Sequence, residues 1–248
     1  MEGITSFVWD TLRAESVQLG EDGKEGQTFL AITPTKFRGE VLGITVQVPK
    51  KTRVAVKTFK KTKSVNKLYK EALHQQIAAS TGAAPPIYGL HPQEKYIVMK
   101  CMHTLVVTEY KEQNMPESLQ YMICALMHRL DTAKILQNDS NALNVMLDER
   151  GRPYMIDYGM AKKITPAIEK KRKGHPNISV TLWGLVRGFK RYKIGVDIMN
   201  ECVNSEDPMP FIERGEEELQ AFEFSGKSRG KKKRKQPGPS SKNKKLKL

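Results

Sequence analysis

The chain has 248 residues, 39% of them hydrophobic, which is enough for a sizeable core in one large domain or two small units and excludes disorder throughout. Its formal net charge of +15 suggests nucleic acid as a partner, yet residues 225–248 hold 11 Lys and Arg and no acid, leaving +4 for residues 1–224. Three widely spaced cysteines without a CxxC pair exclude a disulfide framework or zinc knuckle and fit a reducing compartment.

The amino-terminal stretch MEGITSFVWDTLRAE carries acids where a signal peptide has bases, and no apolar run approaches the roughly 18 residues of a membrane span. A soluble, intracellular chain without membrane contact is therefore expected. Residues 16–33 read as strand, glycine turn, strand, and RVAVKTF at 53–59 has the β-branched content of another strand. Residues 64–79 lack Gly and Pro, and Val65, Leu68, Leu73 and Ile77 fall near one helical stripe before TGAAPP ends the helix. A strand follows at YIVM, 96–99. A helix from about Pro116 to Leu130 places Leu119, Met122, Ile123, Leu126, Met127 and Leu130 at helical spacing. NVMLD and PYMID are two short strands joined by the turn residues ERGR. Another helix is expected from roughly Val180 to Phe189, and the acidic run Glu213–Glu218 suggests a terminal amphipathic helix. Residues 225–248, rich in Lys, Ser, Gly and Pro, cannot offset their ordering entropy and read as a disordered basic tail.

Asp139 stands five residues before Asn144, and Asp157 precedes Tyr158-Gly159. Phosphoryl transfer asks a protein for metal ligands, a lysine on the phosphates and a carboxylate that accepts the proton of the attacking hydroxyl. Asn and Asp are the oxygen ligands that Mg²⁺ prefers. Asn144 at the start of one strand and Asp157 at the end of its hairpin partner are expected to lie close together. Upstream, Lys57 sits on a predicted strand, and Glu71 on the following helix is placed to orient it.

These residues resemble the protein kinase superfamily. Val54-Ala55-Val56-Lys57 is similar to the family's V-A-I-K strand, Gln137-Asn138-Asp139 through Asn144 to its H-R-D-x-x-x-x-N catalytic loop, and Asp157-Tyr158-Gly159 to its D-F-G element. Order and spacing match from about residue 16 to 163. The resemblance implies an α+β, bilobal protein-kinase-like fold. Its N-lobe and hinge (1–102) hold a small antiparallel sheet, and its reduced, mainly helical C-lobe (103–224) precedes the basic tail (225–248).

It further implies ATP and Mg²⁺, with Lys57 on the phosphates, Glu71 paired to Lys57, Asp139 as catalytic base, and Asn144 and Asp157 on the metal. Gly20, Gly23 and Gly26 become the phosphate-binding loop. Ala55 belongs to the nucleotide site, Met99 stands at the hinge entrance, and Lys100, Cys101 and Met102 face adenine through the backbone.

The departures are also legible. The glycine series is Gly-x-x-Gly-x-x-Gly with Glu21 and Asp22 inside it; the catalytic loop has Gln137 and Asn138 for His and Arg; position 141 is Asn where a phosphate-contacting lysine is usual. No A-P-E closes the basic stretch after Asp157, and the next helix lacks the aspartate that anchors the catalytic loop. The chain thus looks similar to the compact kinases of large DNA viruses or the small kinase of the tRNA threonylcarbamoylation complex.

A serine/threonine protein kinase is the expected activity. The alternatives are a pseudokinase scaffold and a nucleic-acid-associated protein acting through its tail. The basic stretch Lys162–Lys173 predicts acidic or phosphorylated acceptors. Lys231–Lys235 and the cluster Lys242–Lys247 fit a nuclear import address or nucleic-acid contact, which predicts a nuclear location with the cytoplasm as alternative. The five histidines show no paired metal spacing, and Gly226-Lys227-Ser228 lacks the first glycine of a phosphate loop.

Overall fold

The computed structural model describes residues 9–19, 23, 25–102, 104–105 and 110–229. The chain is a mixed α+β fold. Its first part runs α1 (Trp9–Arg13), β1 (Val17–Leu19), β2 (Gly26–Ile32), β3 (Phe37–Val41), β4 (Ile44–Val48), β5 (Arg53–Phe59), α2 (Val65–Ser80), β6 (Ile87–His91) and β7 (Tyr96–Lys100). Five of these strands form one antiparallel sheet in the order β1-β2-β5-β7-β6. The central strand β5 pairs Lys57 with Thr28 on one side and Ile97 on the other. Val54 and Val56, pointing to one face of the pleat, are fully buried, and Lys57 emerges on the other.

Strands β3 and β4 form a separate hairpin that the sequence reading did not anticipate. Both central residues of its turn, Leu42 and Gly43, have positive φ (52° and 80°), the backbone that matches the twist of the flanking strands. Phe37, Val41, Val46 and Val48 bury the inner face of this hairpin in the same apolar cluster as β5 and β7.

The second part runs β8 (Thr104–Leu105), α3 (Glu117–Thr132), β9 (Ile135–Leu136), β10 (Val145–Leu147), β11 (Pro153–Met155), β12 (Lys162–Lys163), α4 (Pro166–Lys171), α5 (Trp183–Arg191), α6 (Asp197–Asn204) and α7 (Met209–Arg229). A 3₁₀ turn spans Ala142–Asn144, and a π-helical turn, Ile178–Leu182, leads directly into α5. A second apolar cluster gathers around α3, where Ile123, Met127 and Leu130 are fully buried. Strands β10 and β11 pair antiparallel, Val145 opposite Met155, as the ERGR turn predicts. Helix α7 lies so close to α3 that a Cβ at Gly215 would stand 2.1 Å from the Tyr121 carbonyl oxygen. Arg129 and Glu216 join the same two helices, the guanidinium Nε donating at 2.8 Å.

Several expectations need correction. Helix α2 does form, but Leu73 and Ile77 are exposed; its buried face includes Leu68, Glu71, Ala72 and Gln75, with Glu71 turned to two ammoniums and Gln75 to the Pro85 carbonyl. Helix α7 runs through Arg229, so residues 225–229, expected in the tail, have helical backbone, while 230–248 and both basic clusters in it lie outside the described residues. Residues 166–171 of the basic stretch are a helix capped by Thr165, whose hydroxyl accepts from the Ile168 N–H. The cysteines, remote in sequence, are not all remote in space: the free thiols of Cys124 and Cys202 are both fully buried and interact, which with burial pushes the Cys124 thiol well up. Among the described residues no helix is long and apolar enough to cross a membrane.

Candidate active site

Lys57 leaves β5 on the face opposite Val54 and Val56, and its ammonium donates to Glu71 Oε1 at 2.7 Å and to Asp157 Oδ1 at 2.9 Å. Residues 57, 71 and 157 thus meet at one point. Glu71 is brought there by α2, which starts at the Ser64 cap, where the hydroxyl accepts from the Lys67 N–H. The Glu71 side chain is only 2% exposed, and such a buried carboxylate is tolerated only when paired. Its second oxygen accepts from Lys63 Nζ at 2.5 Å, and Lys63 also reaches Glu25 Oε2 at 2.5 Å. The Phe59 ring lies near both ammoniums, 5.2 Å from Lys57 and 4.4 Å from Lys63, a cation–π contact in a desolvated place.

Charge sets the protonation here. Burial works against the Lys57 ammonium, yet the facing Glu71 and Asp157 outweigh it and hold its pKa above the usual value. Burial likewise works against ionised Asp157, but Lys57, the Gly159 N–H and Lys63 together keep this carboxyl below the usual range.

The second half of the site hangs on a network of side-chain amides. Asn144 donates through Nδ2 to Asp139 Oδ2 at 2.9 Å. Gln137 Nε2 donates to the carbonyls of Ile156 (3.2 Å) and Asp157 (2.9 Å), while its Oε1 accepts from the Asp139 N–H at 2.7 Å. One side chain therefore ties the 139 loop to the 157 loop. Asn138 and Asp157 hold left-handed backbone, φ 63° and 58°, a conformation that Asn and Asp tolerate better than most residues. Beneath them Asn177 Oδ1 accepts from the Gln137 N–H (3.1 Å) and the Thr181 hydroxyl (3.1 Å), and its Nδ2 donates to Asp131 Oδ1 (2.7 Å) and the Ile135 carbonyl (2.8 Å).

This corrects an expectation. The helix beyond the basic stretch lacks the anchoring aspartate, and Asn177, just before the π-helical turn, holds the loop instead, backed by Asp131 from α3. Burial pushes the Asp131 carboxyl up to about 7, and its Oδ2 has no hydrogen-bond partner among the described residues.

The donor set suits a hard cation. Asn144 commits its amide nitrogen to Asp139, and Asp157 commits Oδ1 to Lys57 and Gly159, so Asn144 Oδ1 and Asp157 Oδ2 carry no such bond. Two oxygens of this kind fit a Mg²⁺ that keeps several waters and phosphate ligands. No group of three His, Cys, Asp or Glu suited to a metal occurs among the described residues. Backbone pairing sets the two candidates side by side, since the Ile156 N–H donates to the Asn144 carbonyl at 2.9 Å.

The remaining predicted residues lie on β2, β5 and β7 and in the segments beside them. Ala55 is buried on β5 opposite Met99, whose sulfur accepts from Gln75 Nε2 at 3.5 Å. Lys100 donates its N–H to the Pro86 carbonyl and its ammonium to Asp148 at 3.2 Å. Lys100, Cys101 and Met102 line a cavity of about 300 Å³ with Arg53, Tyr88 and Glu149. Gly20, Glu21 and Asp22 lie outside the described residues. The Gly23 N–H is taken up by the Gly26 carbonyl at 2.9 Å, and Gly26 belongs to β2, where a Cβ would strike the Thr58 carbonyl at 1.8 Å. Its need for glycine comes from strand packing.

Sequence reasoning missed Lys63, Glu25, Gln137 in its tying role, and Asn177. For Lys63 the available signal was its place immediately before the Ser64 cap, eight positions from Glu71. No protein-family model matches the chain.

Proposed function

We propose that this chain is a compact phosphotransferase of bilobal, protein-kinase-like architecture that passes the γ-phosphate of ATP to serine or threonine hydroxyls of proteins. The observation that carries this reading is the meeting of Lys57 with Glu71 and Asp157 at 2.7 and 2.9 Å. Such an ammonium, oriented by one carboxylate and adjacent to another, suits the α- and β-phosphates of a nucleotide. Asn144 and Asp157 would hold Mg²⁺, which when bound neutralises charge on the phosphate oxygens.

Asp139 accepts the proton of the acceptor hydroxyl. The hydroxyl oxygen bonds to the γ-phosphorus while the bond from that phosphorus to the β,γ-bridging oxygen breaks, leaving ADP and a phosphorylated protein. Asn144 fixes the Asp139 carboxylate through Nδ2, and Gln137 fixes the Asp139 backbone. Together they keep the base in place relative to Asp157.

The test is transfer of label from γ-labelled ATP, with Mg²⁺, to acidic and basic protein acceptors by the wild type beside Lys57→Ala, Asp139→Asn and Asp157→Ala. Loss of a general base typically lowers the rate by about 10²- to 10⁴-fold. A wild type no faster than Asp139→Asn would overturn catalysis and favour a scaffold role.

A further inference from the structure

Helix α5 approaches the catalytic loop along a row of glycines. A Cβ at Gly184 would lie 2.2 Å from Ser140 Cβ, and one at Gly188 would lie 3.5 Å from Ala142 Cβ. The helix therefore sits almost against residue 140, one position from Asp139. The neighbouring row at i, i+4, i+8 is Trp183, Arg187 and Arg191. Between this row and the loop runs a groove of about 580 Å³, lined by Ser140, Asn141, Trp183, Arg187, Arg191 and Tyr192.

Its chemistry is uneven for a protein surface. Trp183 is 48% exposed and Tyr192 is 40% exposed, and the Arg187 guanidinium stacks over the Trp183 ring at 4.5 Å. Among the described residues neither Arg187 nor Arg191 is paired with a carboxylate. Guanidinium groups bind carboxylates and phosphates bidentately, and Arg, Trp and Tyr are the residue types that concentrate binding energy at interfaces. Exposed Lys162 and Lys163, on the strand that pairs with Ile135–Leu136 before the catalytic loop, add positive potential.

We infer that this groove seats an acidic protein segment, with aspartate, glutamate or phosphorylated side chains on Arg187 and Arg191, and so delivers its hydroxyl to Asp139; the inference rests on the phosphotransfer reading above. A protein fits better than single-stranded nucleic acid. Trp183 and Tyr192 are nine helical positions apart, about 13 Å along the axis, too far to stack successive bases.

The experiment uses the full chain and one serine peptide in two forms, flanked by Asp and Glu or by Lys. Binding is read by fluorescence anisotropy without ATP, and transfer by kcat/KM with ATP and Mg²⁺. For the wild type the acidic peptide binds and reacts preferentially. Arg187→Ala with Arg191→Ala weakens acidic-peptide binding and raises its KM by about 30-fold, two solvent-exposed charge pairs being lost, while the KM for ATP stays unchanged. Arg187→Glu with Arg191→Glu shifts preference to the basic peptide. Both positions are exposed, so these variants keep the fold.

Acidic-peptide binding that depends on the arginines but is never followed by transfer keeps the groove and overturns the phosphotransfer reading. Transfer without charge preference, or unaltered in the arginine variants, overturns the groove alone. Tighter binding of a single-stranded RNA than of the acidic peptide, lost in the same variants, also overturns it.

Discussion

Glu71 and Asp131 are both almost inaccessible carboxylates on helices, and their surroundings handle them in opposite ways. Around Glu71 two ammoniums compete for one carboxylate, and those ammoniums reach on to Asp157 and Glu25. Around Asp131 stand the amide groups of Asn177, both donating to Oδ1, and burial raises the acid toward neutrality. Partners in the first cluster overlap: a Glu71 that gave up Lys57 would still be paired with Lys63. Partners in the second do not, because each amide hydrogen and carbonyl there has one geometry. The difference separates a region built to exchange partners from one built to hold loops still.

Breaking the amide side should have the largest effect. Asn177→Ala strands the Gln137 N–H, the Ile135 carbonyl and the Thr181 hydroxyl inside the protein and leaves Asp131 only the backbone N–H of residue 177, and should lower unfolding stability by about 5 kcal/mol in urea titrations, since each buried orphan costs roughly 1–3 kcal/mol. Asn177→Asp, which keeps one acceptor but faces Asp131 with a second carboxyl, should rescue only at acid pH. Rescue at neutral pH would show that the amide is dispensable.

Next in size is a pH effect that distinguishes the two regions by sign. Asp131 has a folded pKa raised from 3.8 to about 7, so the native state binds the proton more tightly than the unfolded chain. Its contribution is full below about pH 4 and is lost as pH rises through 7, by up to about 4 kcal/mol. Asp131→Asn should flatten that slope in denaturation curves between pH 4 and 7; a slope equal to that of the wild type would refute the assignment. Asp157, held low by Lys57, behaves inversely: its contribution is present above its usual pKa and lost as pH falls through the folded one.

The smallest effect sharpens the charged side. Because Glu71 has two cations, Lys57→Met or Lys63→Met alone leaves one in place, whereas the double variant leaves none. A double-mutant cycle should give about 2 kcal/mol of destabilisation beyond additivity. Strict additivity would mean that the lysines do not share Glu71.

The local chemistry of the site was legible in the sequence. Lys57, Glu71, Asp139, Asn144 and Asp157 stand at informative spacings, and the β-branched content of RVAVKTF gave the strand that carries the first of them. Helix α2 was legible as a helix but misread in orientation. Hydrophobic periodicity assumes that the buried face is apolar, but here Glu71 turns in to meet two ammoniums and Gln75 to meet the Pro85 carbonyl, so Leu73 and Ile77 turn outward. Asn177 was invisible for another reason: it lies 40 positions from Gln137, and an asparagine before a helix reads as ordinary loop chemistry. The β3–β4 hairpin did carry a local signal, the Leu42-Gly43 turn between alternating residues, though Leu is an uncommon partner in that turn.

The close contact at Gly215 has a practical side. It fixes α7 against α3 in the first half of the helix, and Leu219, about one turn further on, joins the same apolar cluster. A fluorescent label or affinity handle inserted immediately before Gly215 would therefore pry two helices apart, because the backbone there has no room to give.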